Sequence, residues 1–322
     1  MSLVVAVVGP TATGKSDLGL ALARALGQDV VGEVVNADAM QLYRGMDIGT
    51  AKLRPEERAG VPHHLLDVLD PHEDASVADY QALARGALDA IAGRGARAVA
   101  VGGSGLYVRA LLDAMEFPGT DAAVRAELEA RVEAEGARAL HAELERVDPA
   151  AAAGIGPRNA RRIVRALEVI ALTGRPYSAS LPQHVYEVPA VQIGLDCDRS
   201  TLDARITRRV ERMWEQGLVD EVERLVAAGL GRTASRAVGY AEVVAMLAGE
   251  LSPQAAQEAI AAGTRRLARK QMGWFGRDPR VHWLDAQDPD LVDRALDLVR
   301  RADEGSLGPA TDDPAPRRTL GS

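Results

Sequence analysis

Residues 9 to 16 read Gly9-Pro10-Thr11-Ala12-Thr13-Gly14-Lys15-Ser16 and satisfy the pattern G-x-x-x-x-G-K-[ST]. The pattern works only where a buried strand turns directly into a helix, because its backbone N–H groups must converge on phosphate oxygens at a helix N-terminus. The flanks supply that setting. Leu3 to Val8 is a continuous apolar run, rich in valine, of the kind buried on both faces of a parallel sheet, and a helical pattern follows the turn. Gly9 and Gly14 allow backbone conformations and close approaches denied to residues with a Cβ. Lys15 adds a point charge, and the Ser16 hydroxyl is a natural Mg²⁺ ligand. The motif specifies a di- or triphosphate; it names no reaction and leaves open whether ATP binds.

Similar short apolar runs recur at Glu33 to Asn36, Arg97 to Val101 and Val191 to Leu195, separated by helical segments such as Ser76 to Ala92. Strand alternating with helix predicts an α/β fold, a P-loop NTPase-like parallel sheet flanked by helices. Between Asp121 and Leu172 the chain is rich in Ala, Glu and Arg with helical periodicity and no strand candidate, so residues 118–188 are expected to form an inserted all-helical domain. Residues 1–117 and 189–304 are expected to form the core, with long helical patterns at Thr201 to Ala228, Ser235 to Ala248 and Pro253 to Phe275 and a last strand near Val281 to Leu284. Residues 305–322 read as a disordered tail.

A chain of 322 residues with 47% hydrophobic and 26% charged residues is long enough for a sizeable core and outside the disordered, collagen and coiled-coil classes. The single cysteine, Cys197, excludes an intramolecular disulfide and a cysteine-based zinc site and reads as a small core hydrophobe. No apolar stretch reaches membrane-spanning length and no basic leader precedes the first strand, so a cytoplasmic protein without membrane association is expected. The net charge of −8 argues against a general polyanion coat, yet its distribution is uneven. From Gly154 to Arg175 five arginines meet one acid, Glu168, and from Gly263 to Arg280 six basic residues meet only Asp278. These segments read either as local anion sites or as solvated helix faces. Aromatic residues make up 3%, too few for an extended base-stacking surface.

Around the phosphate loop, Asp38 follows the second strand and faces the crevice at the strands' carboxyl ends, where it can act as a general base. The competing reading is a helix N-cap, with Gln41 at capping-box spacing. Ser104, in Gly102-Gly103-Ser104-Gly105-Leu106-Tyr107, either donates to a leaving-group oxygen or caps the helix it opens. His63, His64 and His72 lack the ordered ligand spacing of a zinc site, and Met213 and Trp214 read as core. No N-K-x-D guanine-reading motif is present, which leaves phosphotransferases and other transferases.

In order along the chain, Gly9 to Ser16, Asn36-Ala37-Asp38-Ala39-Met40-Gln41 through Lys52, Pro62-His63-His64-Leu65-Leu66-Asp67, Gly102 to Tyr107, Arg161 to Val169, Thr173 to Ser178, Ala237-Val238-Gly239-Tyr240 and Thr264 through Phe275 resemble the bacterial tRNA dimethylallyltransferases. The resemblance spans nearly all of residues 3 to 285. It implies transfer of a dimethylallyl group from its diphosphate to N6 of the adenosine 3′-adjacent to the anticodon, with Mg²⁺ as cofactor, a tRNA anticodon stem-loop as partner, and a monomer. By residue, it implies Asp38 as base, Ser104 and Lys15 at the leaving group, and Gly9, Pro10, Thr11, Ala12, Thr13, Gly14, Lys15, Ser16 and Arg236 at the diphosphate. It further implies tRNA contacts at Asp38, Ala39, Met40, Gln41, Ser104, Arg125, Arg161, Arg162, Ile163, Val164, Arg165, Lys270 and Gln271. The family more often has threonine where Ser104 stands, which keeps the hydroxyl, and a basic residue where Gly276 stands. Alternatives are a small-molecule kinase with the same base, prenyl transfer to free adenine nucleotides, and a non-enzymatic RNA-binding module.

Overall fold

A computed structural model describes residues 3–27, 32–180 and 184–310. They fall into two compact units, Met1–Asp113 with Tyr186–Ser322, and Ala114–Val185.

The first unit is built on six parallel strands: β1 (Val4–Val8), β2 (Glu33–Asn36), β3 (His63–His64), β4 (Ala98–Val101), β5 (Ala190–Asp196) and β6 (Val281–Asp285). Their order is β3-β2-β4-β1-β5-β6. All five residues of β1 are buried, as a strand covered on both faces requires. Register pairs Asn36 with Val101, and Val7 with both Val101 and Ile193, so β1, β2, β4 and β5 end at one edge. The sheet grows away from β1 on both sides, and ligands bind at the carboxyl edge beside such a switch point. The segments carrying Gly9, Asp38 and Ser104 all leave from that edge. β3, only two residues long, was not expected from the sequence.

Helix α1 (Lys15–Ala25) buries Leu18, Leu22 and Ala23 on the sheet, while α2 (Val77–Gly93) and α3 (Gly105–Leu112) pack together beyond β4. The predicted helix from Thr201 to Ala228 is two helices, α8 (Arg199–Glu215) and α9 (Leu218–Ala228). They are divided by Gly217 at φ 94, a left-handed conformation that interrupts a helix. Helix α10 (Tyr240–Leu247) begins later than its pattern suggested, and α11 (Pro253–Phe275) matches its pattern. A second core in this unit joins Tyr43, Met46, Cys197, Met213 and Tyr240, with Trp214 packed against it. Helix α12 (Leu291–Asp303) packs beside α1 on the same sheet face.

The expected disordered tail begins too early. Ser306 and Leu307 donate their N–H groups to Arg301 O, and Leu307 packs against the core, while residues 311–322 lie outside the described residues.

The second unit contains α4 (Ala122–Glu135), α5 (Ala137–Val147), α6 (Pro149–Gly154) and α7 (Ala160–Thr173) around a core of Leu128, Leu140, Leu144, Ile163, Val164 and Leu167. Asp148 ties its parts together, accepting from Ala151 N, Ser178 N and Ser178 Oγ.

Candidate active site

The phosphate loop connects β1 to α1. Gly14 stands at the helix N-cap with φ 91, ψ 21, a conformation that costs a side-chain-bearing residue steric strain. Thr13 Oγ1 and Lys15 Nζ both donate to Pro10 O, at 2.9 and 2.6 Å, folding the loop around its own carbonyl. Burial pushes the Lys15 ammonium down to about 8, against the pull of the Asp38 carboxylate and with a push from Arg209. Ser16 Oγ lines the cleft and makes no hydrogen bond to the described residues. Among those residues, no group of three His, Cys, Asp or Glu side chains is placed to hold a metal ion. One free hydroxyl beside a phosphate cradle suits Mg²⁺, which keeps few protein ligands and binds largely through substrate phosphates and water.

Asp38 takes the capping role that the sequence offered and keeps one carboxylate oxygen unused. Its Oδ1 accepts from Met40 N at 3.0 Å and caps the short 3₁₀ turn Ala39–Leu42, and Oδ2 accepts nothing from the described residues. Asn36 holds the turn, with Oδ1 accepting from Asp38 N and Nδ2 donating to Asp38 O and Leu65 O. Ser104 does not cap its helix. Its Oγ accepts from Ala39 N at 3.0 Å, which leaves its proton free to point elsewhere. Gln41 Nε2 donates to Thr50 O at 3.1 Å.

The loop and this turn line a cleft of about 960 Å³ whose opposite wall is α8. Arg205, Arg208, Arg209 and Arg212 share one face of that helix at i, i+3, i+4 and i+7 spacing and line the cleft. The sequence reading gave these arginines no role, although their spacing was visible. Burial pulls Arg209 below the usual arginine range, Asp38 opposes it, and its Nη2 approaches Thr50 O at 3.4 Å. Thr11, Asp38, Thr50 and Arg209 also border a smaller cavity of about 80 Å³, lined on its apolar side by Met40, Ile206, Val210, Met213 and Val238. One helix therefore offers arginines to the larger cleft and aliphatic groups to the pocket.

Other candidates lie differently. Gln271 is buried, 7% exposed, with Oε1 accepting from Thr11 N at 2.8 Å and Nε2 donating to Gly103 O at 3.0 Å. Its amide is used within the protein and occupies the Thr11 N–H, and the residue also borders the smaller cavity beside Asp38. Lys270 is exposed. Arg236, expected at the diphosphate, is exposed at the end of a 3₁₀ turn and is not among the residues lining the cleft. His64 pairs with Glu33, and His63 Nδ1 meets Val61 O.

In the helical unit, Ile163 and Val164 fill the core, 0% and 5% exposed, and their side chains offer no surface to an RNA. The helix turns these apolar positions inward. Fully buried Glu168 accepts from Arg125 Nη2 at 2.6 Å, Arg165 Nη1 at 2.9 Å and Asp121 N at 3.1 Å. Arg165 also donates to Gly119 O and Pro118 O. Arg158, Arg161 and Arg162 are exposed around the N-terminus of α7, the end of a helix that disfavours cations.

The family model described as IPP transferase matches residues 41–278. A tRNA dimethylallyltransferase of Thermobifida fusca is 60% identical over 302 residues, which is 93% of this chain and 95% of that relative. One from Streptomyces coelicolor is 59% identical over 303 residues, 92% of this chain and 96% of its own. The crystal structure of a tRNA isopentenylpyrophosphate transferase from Bacillus halodurans superposes with a TM-score of 0.69 at 41% identity, covering 95% of this chain and 97% of that one. A eukaryotic dimethylallyltransferase acting on tRNA has a TM-score of 0.81 at 23% identity, covering 95% and 80%, and so shares the fold. On the match across residues 41–278 and the identity to these relatives, the chain belongs to the IPP transferase family.

Proposed function

We propose that this chain transfers the dimethylallyl group of dimethylallyl diphosphate to N6 of the adenosine 3′-adjacent to the anticodon of a tRNA, releasing diphosphate. The observation that carries the reading is the junction of two unlike spaces at Asp38. On one side is a cleft walled by a phosphate loop and four arginines, and on the other a small apolar pocket. A prenyl diphosphate has that same division between anionic head and aliphatic tail, and its reactive carbon falls at the junction. The names of the relatives support the same substrates.

The loop N–H groups, Lys15 and Arg209 hold the diphosphate and stabilise the charge that grows on it as the C1–O bond breaks. Ser104 donates a hydrogen bond from its hydroxyl to the departing oxygen and keeps its proton. The N6 amine attacks C1, the C–N bond forms, and Asp38 Oδ2 accepts the amine proton. Ser16 Oγ would hold Mg²⁺ here, and the ion would supply further neutralisation of the departing charge. The acceptor base must leave its stack to reach this depth, so the anticodon loop is opened on binding. Arg161 and Arg162 are the phosphate contacts of the helical unit, and Lys270 adds one from α11. Arg125 and Arg165 position the loop that they brace through Glu168.

The test is incubation with Mg²⁺, radiolabelled dimethylallyl diphosphate and an anticodon stem-loop carrying the target adenosine, with AMP as parallel acceptor. Label in the RNA supports the reading. Label in AMP alone moves it to nucleotide prenylation, and label in neither overturns it. Asp38→Asn keeps the cap and removes the base, so it should fold normally while turnover falls by about 10²–10⁴-fold.

A further inference from the structure

The segment Gly45-Met46-Asp47-Ile48-Gly49-Thr50-Ala51-Lys52 carries much of the family resemblance, yet none of its side chains is needed by the chemistry above. Its backbone is held by a buried carboxylate from another part of the chain. Glu221, on α9 and 2% exposed, accepts from Asp47 N at 3.1 Å and Ile48 N at 2.8 Å through Oε2. Its Oε1 accepts from Gly49 N at 3.2 Å and from the Tyr240 hydroxyl at 2.6 Å. Three successive N–H groups closing on one anion form a backbone nest, and charge-assisted bonds in a buried setting fix it firmly. The Tyr240 ring lies directly beneath, where a Cβ on Gly49 would come within 2.5 Å of it. Lys52, also buried, closes the far end by donating to Tyr43 O, Asp47 Oδ1 and Asp67 Oδ1.

This held segment lines the cleft with Thr50 and Ala51, and it is the Thr50 carbonyl that meets an arginine there. Thr50 O takes Gln41 Nε2 at 3.1 Å and lies 3.4 Å from Arg209 Nη2, and Thr50 lines both the cleft and the apolar pocket. We infer that Glu221 is a positioning residue for the transfer reaction: through the 47–49 nest it fixes the adjoining Thr50 carbonyl that aims the Arg209 guanidinium at the donor's diphosphate. The inference rests on the prenyl-transfer reading above.

The experiment is a double-mutant cycle between Glu221→Gln and Arg209→Lys on the full chain, reading kcat and the KM of each substrate. The glutamine amide places an N–H donor against donors and breaks the nest. Alone, it should lower donor kcat/KM by about ten- to a hundredfold, as misplacement of a positioning group does, with the KM for the stem-loop unchanged. With Arg209→Lys already present, the same change should cost no more than about twofold, because the group it acts through is gone. Additive losses, or a loss confined to the melting temperature, would overturn the inference. Should Glu221→Gln fail to fold, Gly49→Ala displaces the same segment from the Tyr240 side and enters the cycle in its place. Wild type that transfers nothing would instead defeat the prenyl-transfer reading itself.

Discussion

The backbone N–H of Thr11, in the first turn of the phosphate loop, donates to Gln271 Oε1 at 2.8 Å, across 260 residues of sequence. The same amide donates from Nε2 to Gly103 O at 3.0 Å, so one side chain of α11 locks the β1–α1 loop to the β4–α3 loop. Gln271→Ala leaves both backbone groups without a partner and should cost about 1–3 kcal/mol for each that stays dry. The expected result is a lower melting temperature and a weaker donor KM, with stem-loop affinity unchanged. A loss of stem-loop affinity at constant melting temperature would return Gln271 to the RNA surface.

Lys15 gives the donor site a pH dependence. Its free-state pKa of about 8 lies below that of an ordinary lysine because of burial, and a bound diphosphate favours the charged form and raises it. Donor binding therefore takes up a proton near pH 8. Affinity is full below that value and declines by up to about tenfold per unit as pH rises through it. Calorimetry at pH 7 and pH 9 in buffers of different ionisation enthalpy measures the proton. Lys15→Met, with no such proton to bind, should flatten the profile above pH 8.

The apolar pocket limits the donor. At about 10–15 Å³ for each water-sized group, its 80 Å³ holds roughly five to eight of them, enough for a five-carbon prenyl group and too little for ten carbons. Wild type should transfer nothing from geranyl diphosphate. Met213→Val, which shortens a flexible wall residue at modest cost to the core, should let that donor react at a low rate. Equal use of the two donors by wild type would show that the chain leaves the pocket.

Much of this was written in the sequence in local form. The valine-rich runs became β1, β2, β4 and β5 because burial on both faces leaves that composition, and the phosphate loop folded where its flanks placed it. Asp38 could be read as cap or base because both uses need a carboxylate at a strand's carboxyl end, and the structure shows the cap on one oxygen while the other stays unused. Long-range pairings left no such trace. Nothing near Gln271, in a basic stretch, announces that its amide bridges two loops far back in the chain, and nothing near Glu221 announces a nest 172 residues earlier. The α8 arginines were legible as a helical face, but such a face looks the same whether it meets solvent or a phosphate loop. β3 was invisible because two residues carry no periodicity.

Arginines in the helical unit divide into two kinds, and the division predicts opposite behaviour. Arg165 is bound to Glu168 Oε2, Gly119 O and Pro118 O, and Arg125 to the same buried carboxylate, so both hold the fold. Removing Glu168 leaves the Asp121 N–H and two partly exposed guanidinium groups without their acceptor, and Glu168→Ala should cost about 1–3 kcal/mol, read as early melting of this unit in hydrogen exchange. Arg161 and Arg162 are exposed on the first turn of α7, where the helix dipole opposes a cation and no acid answers them among the described residues. Their charge is best satisfied by an anion from outside. Arg161→Ala and Arg162→Ala should leave melting unchanged, weaken stem-loop binding at low salt, and each reduce the slope of log affinity against log salt by about 0.7–0.9. An unchanged slope in both would place the RNA backbone elsewhere on the protein.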